Sequence, residues 1–262
     1  MIPNCVFDFF STHQNLLWII TIAIDLGATL IIYRLFGKVG LYGVVVLNII
    51  LSNLQGPKLT VIFGMPTSLG LIIYSGIYFS TDLLSEKYGK KEANIAVLLG
   101  FASSLVVILL MSMSLLFTPA AINPDQQEYA QSVHNSLELL FGYTPRFLFG
   151  SLLAYLISQS VDVWIFHYIK EKTKGRHLWL RNNLSTLISQ ALDTVIYSLV
   201  VWWGIFDLWT AIQLGLAKYF FKFLIALFDT PFIYWARSWD SRERNWSEPF
   251  QSSSSSKSKK EF

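Results

Sequence analysis

The sequence predicts an all-α, polytopic transmembrane bundle of about seven spans, on three observations. Hydrophobic residues make up 53% of the 262 positions and aromatic residues 16%, while only 14% are charged, against roughly 25% in an average soluble domain. Apolar stretches recur at the length, about 20 residues, that a helix rising ~1.5 Å per residue needs to cross ~30 Å of hydrocarbon. Of the 20 Lys and Arg residues, sixteen fall on one side of these stretches and two, Lys58 and Arg146, on the other, with Lys218 and Lys222 inside a span. That asymmetry supports an odd number of spans, with the N-terminus outside and the C-terminus in the cytoplasm.

Residues 1–15 read as a short extracytoplasmic N-terminus; "MIPNCVFDFF" has neither a basic n-region nor a small-residue cleavage site, so the first span is expected to stay. That span, Leu16 to Phe36, carries a lone acid, Asp25, read as structurally paired. The second and third, Leu41 to Phe63 and Leu69 to Leu84, are the least regular. "SNLQGPK" interrupts one and "GMPTSLG" divides them, which leaves a re-entrant or broken element open. The fourth runs from Ile95 to Phe117. An acidic outer loop, 118–144, follows; its Val133, Leu137 and Leu140 fit an interfacial helix acting as cover or spacer. Spans five to seven are Phe147 to Ile169, Leu184 to Phe206 and Leu208 to Trp235. The tail, 237–262, is serine-rich and basic, expected as a disordered cytoplasmic end near anionic lipid.

Two of these spans contain one pattern. Ser158 to Phe166 reads SQSVDVWIF and, 31 residues later, Ser189 to Tyr197 reads SQALDTVIY. An ionisable residue at the bilayer centre costs on the order of 2.5–3.5 kcal/mol, so such residues pair with one another or line a path. Gln159, Asp162 and Phe166 share a helix face, as do Gln190, Asp193 and Tyr197. Antiparallel helices joined by a short basic loop can be neighbours with both Gln-Asp faces turned to one cavity. The seventh span adds Lys218 and Lys222, with Asp229 on nearly the same stripe. One reading is a buried ion pair, either lysine against Asp162 or Asp193, that holds the bundle together. The other is a ligand site, because two Gln-Asp pairs offer more hydrogen-bonding capacity than two lysines use. A planar ring with an N–H/NH2 edge, as in guanine, suits carboxylates, amides and aromatic faces; the residues equally allow a cationic vitamin, an amino acid or a proton path.

Other chemistries are disfavoured. A single cysteine, Cys5, excludes an intrachain disulfide, and the four histidines lack metal-ligand spacing, so neither metal nor cofactor is expected. A net charge of +3, spread along the membrane edges, argues against nucleic-acid binding.

Several stretches carry a resemblance. "TDLLSEKYGKKEA", "TPRFLFGSLLAYLISQSVDVWIFHYIKEKT", "LWLRNNLSTLISQALDTVIYS" and "YFFKFLIA" resemble the queuosine precursor transporter family, over roughly Leu41 to Trp235. The family is related in fold to the substrate-binding components of energy-coupling-factor transporters. The resemblance implies a six-helix core (41–236) behind an extra N-terminal helix (16–36), in the bacterial inner membrane. Its implied substrate is a substituted 7-deazaguanine, such as queuine or the cyano or aminomethyl precursor, imported for tRNA modification. It makes Gln159, Asp162, Gln190 and Asp193 pocket positions, with Asn183, Ser185 and Lys222 beside them, Asn53 and Lys58 in a polar break, and Tyr155, Phe166 or Tyr197 stacking on the ring. Asp82 and Glu86, at a cytoplasmic helix end, are read as gate or structural residues rather than ligand contacts.

The small-x-x-x-small surface by which energy-coupling components dock has only Ala23 and Gly27 to represent it. No obligate energy-coupling ATPase is therefore expected; a homo-oligomer is left open. The competing readings are a transporter of another vitamin-like or nucleobase solute, and a seven-helix retinal protein using Lys222 or Lys218 as its Schiff-base lysine.

Overall fold

A computed structural model describes residues 4–120, 123–142, 145–202 and 208–239. The tail expected to be disordered lies, from residue 240 on, outside the described residues. The described chain is almost wholly helical: α1 (Asn4–Thr12), α2 (Gln14–Gln55), α3 (Gly70–Lys87), α4 (Lys90–Ser114), α5 (Pro124–Phe141), α6 (Pro145–Lys172), α7 (Leu178–Tyr197) and α8 (Leu208–Arg237). A strand pair, β1 (Leu59–Ile62) and β2 (Met65–Ser68), joins α2 to α3, and a π-helical turn, Ser198–Trp202, extends α7.

Helix α2 has 42 residues, about twice what a bilayer accommodates. It breaks at Gly37, where φ 60° and ψ −139° lie outside helical geometry and suit only a residue without Cβ. The break falls between the first two apolar stretches, and each half buries one stripe. Trp18, Ile22, Leu26, Leu30 and Tyr33 face inward before it; Leu41, Val44, Val45, Asn48, Ile49 and Ser52 do so after it. The helix ends at Gln55 rather than running to Phe63 because Gly56 and Pro57 follow, and proline supplies no N–H to the ladder. The broken element expected there is an antiparallel hairpin with Leu59 opposite Ser68 and Ile62 opposite Met65, turning at Phe63 and Gly64, both at positive φ.

Helix α3 is central: Leu71 through Leu84 are buried almost without interruption. Helix α4 is the opposite. Only Ala93, Ala96, Val97, Gly100 and Ser104 are buried, a stripe of small residues that lets neighbouring backbones approach, while Leu98, Leu105, Val106, Leu109 and Leu110 face outward. Large apolar side chains outside and polar ones inside invert the pattern of a soluble domain and match a hydrocarbon solvent. Among the described residues three helical segments, Gln14–Gln55, Lys90–Ser114 and Gly150–Lys172, are long and apolar enough to cross a membrane on those criteria alone. The protein is thus an all-helical membrane protein apart from its hairpin. Helices α3 and α7 miss those criteria because their inner faces carry polar groups. The connection between α4 and α6 contains a helix, α5, capped by Asn123, whose side chain accepts from the Gln126 N–H at 2.9 Å, with Pro124 at its first position.

Candidate functional site

The duplicated motif closes on itself. Ser158 of α6 donates to Asp193 of α7 at 3.4 Å, and Ser189 of α7 donates to Asp162 of α6 at 2.8 Å. Each serine therefore reaches the other motif's acid. Four residues forward on α6 correspond to four residues back on α7, so the helices are antiparallel neighbours in one register. The glutamines, one position after each serine, are buried beside them. Gln159 Oε1 accepts from Thr81 at 3.1 Å. Gln159 Nε2 and Gln190 Oε1 are left without partners among the described residues. One is a donor and the other an acceptor, both sealed from water.

Helix α3 supplies the third wall. Tyr74, Tyr78, Asp82 and Glu86 follow one another at every fourth position, a single face. Tyr74 donates to Asp193 Oδ1 at 2.7 Å, and Tyr78 to Ser158 at 3.0 Å. One turn on, Asp82 accepts from Thr186 of α7 at 3.3 Å. Helix α8 supplies the fourth. Lys222 Nζ stands 2.5 Å from Asp193 Oδ2, with its ammonium 4.9 Å from the centre of the Tyr74 ring. Asp229 accepts from Asn182 of α7 at 3.0 Å. The two aspartates of the repeat are consequently unlike. Asp193 is ion-paired, whereas Asp162 has a serine and no cation among the described residues.

A charged floor closes one end of this cluster. Glu86 meets Arg181 at 2.5 Å, Arg237 at 3.1 Å and Lys170 at 3.2 Å, which ties α3 to α7, α8 and α6. Arg181 is fully buried, donates to the Gly175 and Arg176 carbonyls, and lies 5.5 Å from the centre of the Phe166 ring. Phe166, four residues after Asp162 on α6, thus packs against the ionic floor.

The remaining sequence-predicted residues are distributed less compactly. Ser185 is buried against Asp162 and donates to the Asn182 carbonyl. Asn183 bonds Thr230 of α8 at 2.8 Å, and it is the preceding residue, Asn182, that points into the cluster. Tyr155 spends its hydroxyl on the Val97 carbonyl of α4 at 3.1 Å. Tyr197 lies under Lys218, 4.4 Å from ammonium to ring centre. Asn53 is exposed in the last turn of α2 and enters none of the cluster's hydrogen bonds. Asp25 pairs with Asn48 at 3.3 Å, against Gly76 of α3. Sequence reasoning missed Tyr74, Tyr78, Thr81, Ser158, Thr186, Ser189 and Asn182. The four-residue spacing of Tyr74 and Tyr78 ahead of Asp82 was the signal that could have found two of them.

The comparisons agree on one family. The family model described as "Putative vitamin uptake transporter" matches residues 68–236. A relative from Bacillus subtilis (strain 168), named "Probable queuosine precursor transporter", is 38% identical over 227 residues, covering 86% of this chain and 95% of its own. Another from Escherichia coli (strain K12), named "Queuosine precursor transporter", is 25% identical over 169 residues, covering 63% of this chain and 70% of its own. No solved structure matches significantly. The stretch matched by the family model contains α3, α6, α7 and α8, the four helices that build the cluster, and on that match the chain belongs to the vitamin uptake transporter family.

Proposed function

We propose that the protein imports queuosine precursors, substituted 7-deazaguanines, across the bacterial inner membrane, and that the interlocked repeat is where it reads them. The observation that carries this is the pair of orphaned amide atoms, Gln159 Nε2 and Gln190 Oε1, buried where four helices converge. A buried polar atom left unpaired costs about 1–3 kcal/mol, and a guanine-like edge offers the complement: a ring carbonyl for the Gln159 donor, a ring N–H or amino group for the Gln190 acceptor. Asp162, without a cation, accepts from the same edge. Asp193 is held by Lys222 and Tyr74 and fixes the geometry of α7 against α3 and α8. In the same reading the topology has seven spans with the N-terminus outside, the Glu86 floor faces the cytoplasm as a closed gate, and no ATPase subunit is required. The relatives' names support the substrate class, and the polar core with its apolar exterior supports transport over enzymatic chemistry.

The test is restoration of queuosine in tRNA. The gene is expressed in a bacterium lacking both precursor synthesis and its own transporter, with queuine and the cyano and aminomethyl precursors supplied in turn. Rescue by at least one is expected; no rescue by any of the three contradicts the reading.

A further inference from the structure

Asp82 of α3 and Asp162 of α6 converge on one face of α7, where their hydroxyl partners Thr186 and Ser189 lie one turn apart, and both are buried, at 1% and 0% exposure. Each has one oxygen served by a hydroxyl, Thr186 on Asp82 Oδ2 and Ser189 on Asp162 Oδ1. The other oxygens, Asp82 Oδ1 and Asp162 Oδ2, are buried without a donor. An ionised carboxylate only accepts, so two carboxyl groups bond each other only when one carries a proton. No described cation relieves them: Lys222 is on Asp193, Arg181, Lys170 and Arg237 are on Glu86, and Lys218 lies over Tyr197. The other titratable groups facing the pair add no positive charge. Asp229 of α8 is a third acid acting on both, and Tyr78 of α3, one turn before Asp82, is a neutral phenol that donates to Ser158. Helix α7 contributes only the neutral Ser185, Thr186 and Ser189.

We propose that Asp82 and Asp162 share one proton, and that this pair is the proton site through which substrate entry is coupled to proton entry. The coupling rests on the transport function proposed above; the shared proton does not. A proton arriving from outside bonds to one carboxyl, leaving a single negative charge on the pair. Asp162 then accepts both from Asp82 and from the substrate's N–H edge. Release toward the cytoplasm returns the same proton to water, so one O–H bond forms and one breaks per cycle. A pair stripped of its proton holds two adjacent charges beside Asp229, so the proton is on the pair before the substrate binds and leaves when the substrate is released.

Purified protein in lipid vesicles, with radiolabelled 7-cyano-7-deazaguanine as the neutral probe, separates the possibilities. An inward gradient of about one pH unit should concentrate the probe up to about tenfold in wild-type vesicles, and a protonophore should abolish the excess. Asp82→Asn should let the probe equilibrate without concentrating it. Wild-type equilibration that ignores the gradient overturns the coupling and leaves transport standing; a wild-type protein that never admits the probe contradicts transport and coupling together. Infrared spectra of the same vesicles decide on the proton without substrate. The carbonyl stretch of a protonated carboxylic acid should be present in the wild type and lose intensity in both Asp82→Asn and Asp162→Asn. An unchanged band in both variants overturns the shared proton.

Discussion

Lys222 and Asp193 form the ion pair whose disruption should be felt most, because both lie among apolar helices with little water to take up a stranded charge. Removing one partner of a buried pair costs about 3–5 kcal/mol, whereas replacing both by neutral groups is close to neutral. Lys222→Met should therefore lower the melting temperature of the detergent-solubilised protein sharply, and Lys222→Met combined with Asp193→Asn should recover most of the loss. Additive losses would mean that the contact contributes nothing. The serines are a finer probe of the interlock. Ser189→Ala removes a hydroxyl that donates to Asp162 Oδ1 and is expected to cost about 1 kcal/mol, read from the same melting curves. The repeat's spacing made these contacts legible in part. Positions i and i+3 share a helix face, and a short loop leaves the two faces little choice but to meet. The spacing does not say that each serine crosses to the other motif's acid, since helix rotation and register are set by packing. Nor could composition choose between the aspartates. Lys222 goes to Asp193 because Tyr74 of α3, far away in sequence, already orients that carboxylate.

Helix contacts depend on a few close approaches. A Cβ on Gly76 would sit 2.2 Å from Asp25 Oδ2 and 2.6 Å from Asn48 Nδ2, so α3 reaches α2 only because this position is bare. Nothing lies within 4 Å of a Cβ on Gly27. Gly76→Ala should cost at least 1–3 kcal/mol, as overpacking does, while Gly27→Ala should be neutral or gain up to about 1 kcal/mol in helix propensity. Thermal unfolding of the two variants side by side checks this, and equal effects would contradict the packing described. These elements were unevenly readable. The apolar stretches marked helix positions well because lipid imposes its length on them. Residues 56–69 were only recognisable as broken, since a hairpin turning on Phe63 lacks the usual Asn-Gly signature. Asn53 looked like part of a polar break and lies exposed because the helix ends two residues later, at Gln55.

The four helices α3, α6, α7 and α8 surround a polar column that runs from the Asp193–Lys222 pair through Asp82 and Asp162 to the Glu86 floor. The proposed orientation puts that floor in the cytoplasm and Cys5, the chain's single cysteine, on the outer side. A membrane-impermeant maleimide should label Cys5 in intact spheroplasts, and labelling only after lysis would reverse the topology. The same column gives the protein its function if the two glutamines face substrate. Calorimetric titration of the purified protein with the rescuing precursor, set beside Gln159→Leu and Gln190→Leu, addresses this. Each variant should melt near the wild-type temperature and bind at least about tenfold more weakly, the loss expected when a buried hydrogen bond to ligand goes unmade. Wild-type affinity in both variants would contradict a substrate site at the interlocked repeat.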